Sequence, residues 1–218
     1  MVIMNNSILK ERFEKFSKLD LDGKHLVFDF INTIDWRHTE REHEWVLDYF
    51  DILAWCNRKE LLPENDISKL FDLALKDPQA ASAAYDDALH LRETLFEIFI
   101  AVIEGLPIDK KIWNFFNNKL SNTMNNAFID KSGSCFEWAF NYGKNPLEFF
   151  QYPILKAAAD LLIDFDHTRL KKCATPDCGW LFVDNSKNKS KRWCDMESCG
   201  NRAKARRHYA KTRNKKTV

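Results

Sequence analysis

Four cysteines towards the C-terminal end carry the spacing of a metal site. Cys173 and Cys178 form one C-x4-C pair, Cys194 and Cys199 form a second, and fifteen residues separate them. Zn²⁺ favours four-coordinate tetrahedral sulfur, and a closed four-cysteine shell leaves no position for water, so such an ion builds structure and performs no chemistry. Two disulfides or buried free thiols are the alternatives. Disulfides suit exported chains, and Met1-Val2-Ile3-Met4-Asn5-Asn6-Ser7 lacks the basic start and unbroken apolar run of a signal peptide. The expected cofactor is one structural Zn²⁺. His167 and His208 could stand in as ligands, but the cysteines already complete the shell.

Some element must bring the two pairs together. Gly179-Trp180-Leu181-Phe182-Val183-Asp184 is rich in strand formers, Asn185 to Ser190 is a polar turn, and Lys191-Arg192-Trp193-Cys194 returns. This order predicts a hairpin joining the ligand pairs in a zinc-ribbon-like arrangement. Its apolar residues, Trp180, Leu181, Phe182, Val183 and Trp193, are too few to fold alone. Structural zinc supplies about 10–16 kcal/mol in small fingers, so the metal decides whether the piece folds.

Beyond the last ligand, Gly200 is expected to take positive φ and Asn201 to cap a helix. That helix carries Arg202, Lys204, Arg206, Arg207, Lys211 and Arg213 with almost no apolar stripe. A helix polar on all sides needs an external partner, and cations mounted on a zinc module suit phosphates. Lys191 and Arg192 add charge from the hairpin, and with Asn201 these residues form the candidate nucleic-acid set. The plain alternative is a solvated tail. Only His208 and Tyr209 interleave the cations as stacking groups, which favours duplex DNA over single strands and leaves RNA open.

The residues Cys173-Ala174-Thr175-Pro176-Asp177-Cys178-Gly179-Trp180, Arg192-Trp193-Cys194 and Cys199-Gly200-Asn201-Arg202 closely resemble the CGNR zinc finger. His25-Leu26-Val27-Phe28-Asp29-Phe30-Ile31-Asn32-Thr33-Ile34-Asp35-Trp36-Arg37 is similar to the opening motif of the ABATE domain that precedes that finger in the same family. The resemblance implies a stress-responsive transcription regulator that binds DNA through the finger, with a sensor role for the larger domain.

Charge is divided unevenly. From Arg169 onward there are fifteen Lys/Arg against four Asp/Glu, whereas the first 168 residues carry eighteen against twenty-eight. The basic end therefore attracts polyanions, and the acidic body is able to compete for it. The longest interior apolar run, Ile98 to Ile103, is far below the ~20 residues of a membrane span. A soluble cytoplasmic protein without a membrane partner is expected, with a homodimer left open.

Along the body, Ser7 to Leu21 reads as a short helix before an Asp22-Gly23 turn. Leu26 to Ile31 reads as a buried strand, and Arg37 to Glu44 as a surface loop. Helical stripes follow over Trp45 to Leu62 and Asn65 to Lys76. Asp77 with Pro78 opens a long helix and Gly105 with Pro107 closes it. Asp109 caps the next, Phe136, Trp138, Phe140 and Tyr142 alternate as an aromatic hairpin face, and Pro153 interrupts a last helix. The expected fold is α+β: a mainly helical N-terminal domain with a few antiparallel strands over residues 1–167, then a small zinc-ribbon-like finger with a basic helix over residues 168–218.

Asp29, Asn32, Thr33, Trp36 and Arg37 gather polar groups at the end of the expected strand, together with Asp35. One reading is that they satisfy backbone groups and cap a turn. The other is a small-molecule site, with Arg37 as anion anchor and Trp36 and Trp138 as walls. His38, His43 and Asp35 are a weaker grouping, suited to a second metal or to acid–base work but placed in a charged loop. No P-loop, G-x-S-x-G, H-E-x-x-H or dinucleotide fingerprint occurs, so no catalytic residue is assigned and catalysis is not expected. The alternatives to a DNA-binding regulator are an RNA-binding or protein-interaction adaptor with a purely architectural zinc site, and an enzyme acting at Asp29, Asn32 and Arg37.

Overall fold

The computed structural model describes residues 7–17, 19 and 25–215. In chain order the elements are α1 (Ser7–Ser17), α2 (Leu26–Ile31), β1 (Ile34–Asp35), β2 (His43–Glu44), α3 (Tyr49–Arg58), α4 (Glu64–Lys76), α5 (Pro78–Glu104), α6 (Lys110–Asn126), β3 (Ala127–Ser132), β4 (Cys135–Phe140), α7 (Gln151–Ile163), β5 (Leu170–Lys172), β6 (Leu181–Val183) and α8 (Asn201–Lys215). Among the described residues the strands form three two-stranded antiparallel sheets, β1 with β2, β3 with β4 and β5 with β6. The fold is α+β and mainly helical. No helix among the described residues is long and apolar enough to cross a membrane.

The chain divides into two compact units, and the division differs from the expected 1–167 and 168–218. One unit combines Met1–Asp20 with Val46–Phe165, and the other combines Leu21–Trp45 with Asp166–Val218. Residues 25–45 thus fold with the finger, to which hydrogen bonds described below attach them.

In the first unit the longest helix follows from its punctuation. The Asp77 carboxylate accepts from the Ala80 amide, Pro78 occupies the first turn, and Gly105 ends α5 in the left-handed region at φ 67°. Ala84, Ala88, Leu91, Leu95 and Ile98 are all buried along one face. Trp55, Ile52 and Leu53 of α3, Ile67 and Leu70 of α4, and Ile154, Leu155 and Leu161 of α7 complete the core. α3 begins at Tyr49 under an Asp48 cap, later than the expected Trp45. Asp51, buried on α3, accepts from Arg12 at 2.7 Å and Lys15 at 2.8 Å, and so fastens α1. The β3–β4 hairpin pairs Ile129 with Trp138 and Lys131 with Phe136. On its aromatic face Phe136 and Trp138 stay in solvent, at 71% and 50% exposure, while Phe140 packs on Tyr152 and Tyr142 stacks on Phe149.

In the second unit the expected strand Leu26 to Ile31 is instead helix α2. His25 Nδ1 accepts from the Val27 amide, and the Asn32 amide closes the turn on the Phe28 carbonyl at 2.8 Å. Val27, Phe28, Phe30 and Ile31 are all buried, so no polar face interrupts the run and its periodicity cannot separate helix from strand. The expected Arg37 to Glu44 loop carries β2, which turns back to pair with β1. Leu21 and the Asp22-Gly23 turn lie outside the described residues.

Candidate metal centre and basic helix

The zinc hairpin differs from the expected one. β6 pairs with β5, upstream of the first cysteine, in the register Leu170 to Val183, Lys171 to Phe182 and Lys172 to Leu181. Residues 173–180 therefore form a knuckle at the end of that hairpin, closed by the Cys173 amide on the Trp180 carbonyl at 2.9 Å. Lys191 to Cys194 is not a strand. The buried Asp184 carboxylate prevents it by bending the chain into a loop: it accepts from the Ser186 amide at 2.9 Å, the Ser186 hydroxyl at 2.6 Å and the Lys191 amide at 2.9 Å. One backbone bond, from Ala174 to the Arg192 carbonyl, brings the second pair beside the first.

All four sulfurs are buried and lie within 4.8 Å of one another. Cys178 to Cys194 and Cys194 to Cys199 are each 3.6 Å apart, too far for disulfides. Zn–S bonds of about 2.3 Å in a tetrahedron place sulfurs about 3.8 Å apart, so the set fits one Zn²⁺ and encloses it completely. Left to one another the thiols cannot all ionise. Cys173 is drawn below its usual range, chiefly by its hydrogen bond with Cys178, while Cys194 is pushed well above it, chiefly by its bond with Cys173. Zinc removes that split by binding all four as thiolates. The resulting excess of negative charge is met by Arg202, whose Nη2 donates to Cys199 Sγ at 3.0 Å.

Gly179 leaves the knuckle at φ 78°, and a Cβ there would lie 2.9 Å from the Arg37 Cβ, so glycine is required for both conformation and space. The positive φ expected of Gly200 is absent. Gly200 ends a π-helical turn, Met196–Gly200, that is capped by Asp195 through the Glu197 and Ser198 amides. Asn201 does not cap α8 either, because the chain is already helical there and its amide donates to the Glu197 carbonyl at 2.8 Å.

The polar cluster at the other end of the sequence is built into this unit. Asn32 behaves as a stretch of backbone: its Nδ2 donates to the Leu181 carbonyl at 2.8 Å and its Oδ1 accepts from the Leu181 amide at 3.0 Å. Trp180 Nε1 donates to the Ile34 carbonyl at 3.1 Å. Thr33 Oγ1 donates to the Phe30 carbonyl, and Asp29 is buried within α2. Arg37 is not an exposed anion anchor; it is 6% exposed and donates to the Ile31 carbonyl at 2.8 Å. Burial raises Asp35 above the usual carboxylate range against the bond from Trp45 Nε1. Trp36, at φ 48°, lies between the guanidinium groups of Arg41 at 5.5 Å and Arg202 at 5.9 Å.

The cations sort into two groups. Arg202 serves the metal, and Arg206 donates to Asp177 at 3.0 Å. The guanidinium groups of Arg192 and Arg207 both lie over the Trp193 ring, at 5.5 and 5.8 Å from its centre, and both side chains remain exposed, as does Lys204. Lys191 lies over Phe182 at 4.9 Å. The side chains of Lys211 and Arg213 lie outside the described residues. Sequence reasoning passed over Arg41 and Asp177, which meet each other in the structure. Nothing in the local pattern marks that meeting, since 136 residues separate them.

A four-cysteine finger bearing a cationic helix defines the class, a zinc-finger protein. Residues 169–212 match the CGNR zinc finger, and residues 24–113 match ABATE, a family described as "Putative stress-induced transcription regulator". The two family models match in this order along the chain, ABATE first and the CGNR zinc finger second. No curated protein matches it.

Chelation should unfold the 166–215 region while the α5 core stays helical, read as partial loss of circular dichroism with one zinc per chain released. Acid should do the same, because thiolates below their protonation range no longer hold the ion. Arg202→Ala should weaken zinc binding about 10- to 100-fold in a competition titration, and unchanged affinity would remove its role at the metal. Asn32→Ala strands the Leu181 amide and carbonyl in a buried setting. A loss of about 1–3 kcal/mol should follow, seen as a lower melting temperature of the zinc-loaded protein.

Proposed function

We propose that the protein is a transcription regulator that grips duplex DNA through its zinc module and α8. The observation carrying this reading is the Arg192–Trp193–Arg207 stack beside metal ligand Cys194. Stacking on an aromatic face orders a guanidinium without neutralising it, so both cations face solvent already placed for phosphate. Lys204 extends the row along α8, and no ion pair of Lys204 occurs among the described residues. A solvated tail would need none of this anchoring.

With Lys191, Arg192, Lys204, Arg207, Lys211 and Arg213 as phosphate contacts, the logarithm of affinity should fall with log salt at a slope near −5. Fluorescence anisotropy of the full-length protein with a duplex tests this, and Arg207→Ala should reduce the slope by about 1. A slope near zero would support the adaptor reading, and preference for single-stranded RNA would move the substrate class.

We place the sensor role in the first unit. A cavity of about 330 Å³ there is lined by Leu47, Phe50, Leu75, Ala81 and Tyr85 together with the acids Asp48 and Asp86. Its size and apolar walls suit a small organic molecule, whereas Asn32 and Arg37 are engaged with the backbone. A metabolite that raises the melting temperature of the parent and has no effect on Ser82→Trp, which fills the groove, would support this seat. A shift of equal size in both proteins would exclude it.

A further inference from the structure

The knuckle between Cys173 and Cys178 presents one acid, Asp177, and two arginines reach it from separate parts of the chain. Arg41 comes from the turn between β1 and β2, and Arg206 comes from the second turn of α8, donating at 3.0 and 3.1 Å to the two carboxylate oxygens. The arginine side chains are 59% and 51% exposed, and the carboxylate between them only 18%. Each guanidinium thus keeps donors turned outwards while the acid holds the pair together from behind.

We propose that Arg41 and Arg206 form a phosphate seat continuous with the cationic face of α8, and that Asp177 occupies it as an internal substitute until a nucleic-acid phosphate takes its place. This rests on the duplex-binding reading above and extends the contact surface off the finger onto the turn that follows α2.

Three features support the seat. Two cations meet one carboxylate, so the site retains positive charge and is not a neutral pair. Arg–carboxylate and Arg–phosphate contacts use the same planar fork, so the exchange needs no rebuilding of either side chain. Half-exposed ion pairs contribute little in water, so a phosphate that also releases counterions from the duplex competes effectively with Asp177. The turn is held for the purpose. Trp36 and His38 take positive φ at 48° and 62°, and the Trp36 ring carries the guanidinium of Arg41 and that of Arg202, which donates to Cys199 Sγ. Arg41 is thereby fixed relative to the zinc centre although it lies more than a hundred residues away in sequence.

The test uses full-length, zinc-loaded protein and a fluorescent duplex, with affinity measured across a salt series. Asp177→Asn should tighten binding on the order of 4-fold near physiological salt, the effect of removing one negative charge about 5 Å from a phosphate in high dielectric. Arg41→Ala should weaken binding and reduce the magnitude of the salt slope by about 1, although it lies outside the finger. Zinc content and melting temperature confirm that each variant is folded. Should Asp177→Asn fold poorly, Arg41→Ala decides alone. If the parent binds duplex but both variants keep its affinity and slope, the seat is overturned and the duplex-binding reading stands. If Asp177→Asn weakens binding, Asp177 positions the arginines and is no competitor, which also overturns it. If the parent fails to bind duplex at any salt, the functional reading itself falls.

Discussion

Four sulfurs closer together than their charges allow are the constraint on which the second unit rests. At 3.6 Å, neighbouring thiolates repel strongly unless a cation lies among them, and apolar content around them is slight. Zinc binding converts that repulsion into the attachment point for everything nearby. It fixes the 173–180 knuckle, the knuckle sets Trp180 and Leu181, and those two residues offer the donor and acceptor groups that Ile34 and Asn32 take up. Metal, hairpin and amino-terminal segment thus form one chain of dependence.

That dependence explains why the unit is discontinuous. β6 has three residues, all buried, and β5 pairs with it along a single edge. A two-stranded sheet of this size is not stable on its own in water. α2 supplies the missing apolar cover, and Asn32 satisfies Leu181 on β6 through a side-chain amide instead of a strand backbone. The ABATE match over residues 24–113 begins in this segment and continues into the helical unit. Part of what the family motif describes is consequently a component of the finger's own fold, a physical reason for the two motifs to travel in one chain.

Local chemistry was legible in the sequence wherever a residue acts on its neighbours. Asp77, Pro78 and Gly105 mark α5 because caps and left-handed ends are decided within four residues, and the paired cysteine spacing marks the metal because each pair is a short-range unit. The β3–β4 hairpin likewise announced itself through alternation. What failed depends on partners far away. A run of five apolar residues around a buried carboxylate, with residues 27–31 all buried, carries no period, so α2 looked like a strand. The pairing of β6 with β5 was missed because Asp184, a turn former within the expected hairpin, draws Lys191 into its own loop. Asn201 and Gly200 resemble a helix start, but Asp195 had already begun the helical turn five residues earlier.

Counting cations treats each as equally available, and their contacts show that they are not. Arg202 donates to the Cys199 sulfur and Arg37 is buried against a carbonyl, so equal formal charge does not mean equal exposure. Arg192 and Arg207 keep their charge exposed because an indole, not a carboxylate, holds them. Indole stacking restricts a side chain without neutralising its charge, and the Arg207 Nε bond to the Ala203 carbonyl does not neutralise it either, whereas an ion pair does both. Trp193 carries two arginines that have no carboxylate partner among the described residues, whereas the two at Trp36 are also engaged, Arg41 with Asp177 and Arg202 with Cys199 Sγ, so the count of cations does not by itself measure how many are available. A cationic helix on its own attracts any anion at long range; a cation held on an aromatic face beside a metal site presents a fixed geometry, and only fixed geometry distinguishes one anionic surface from another.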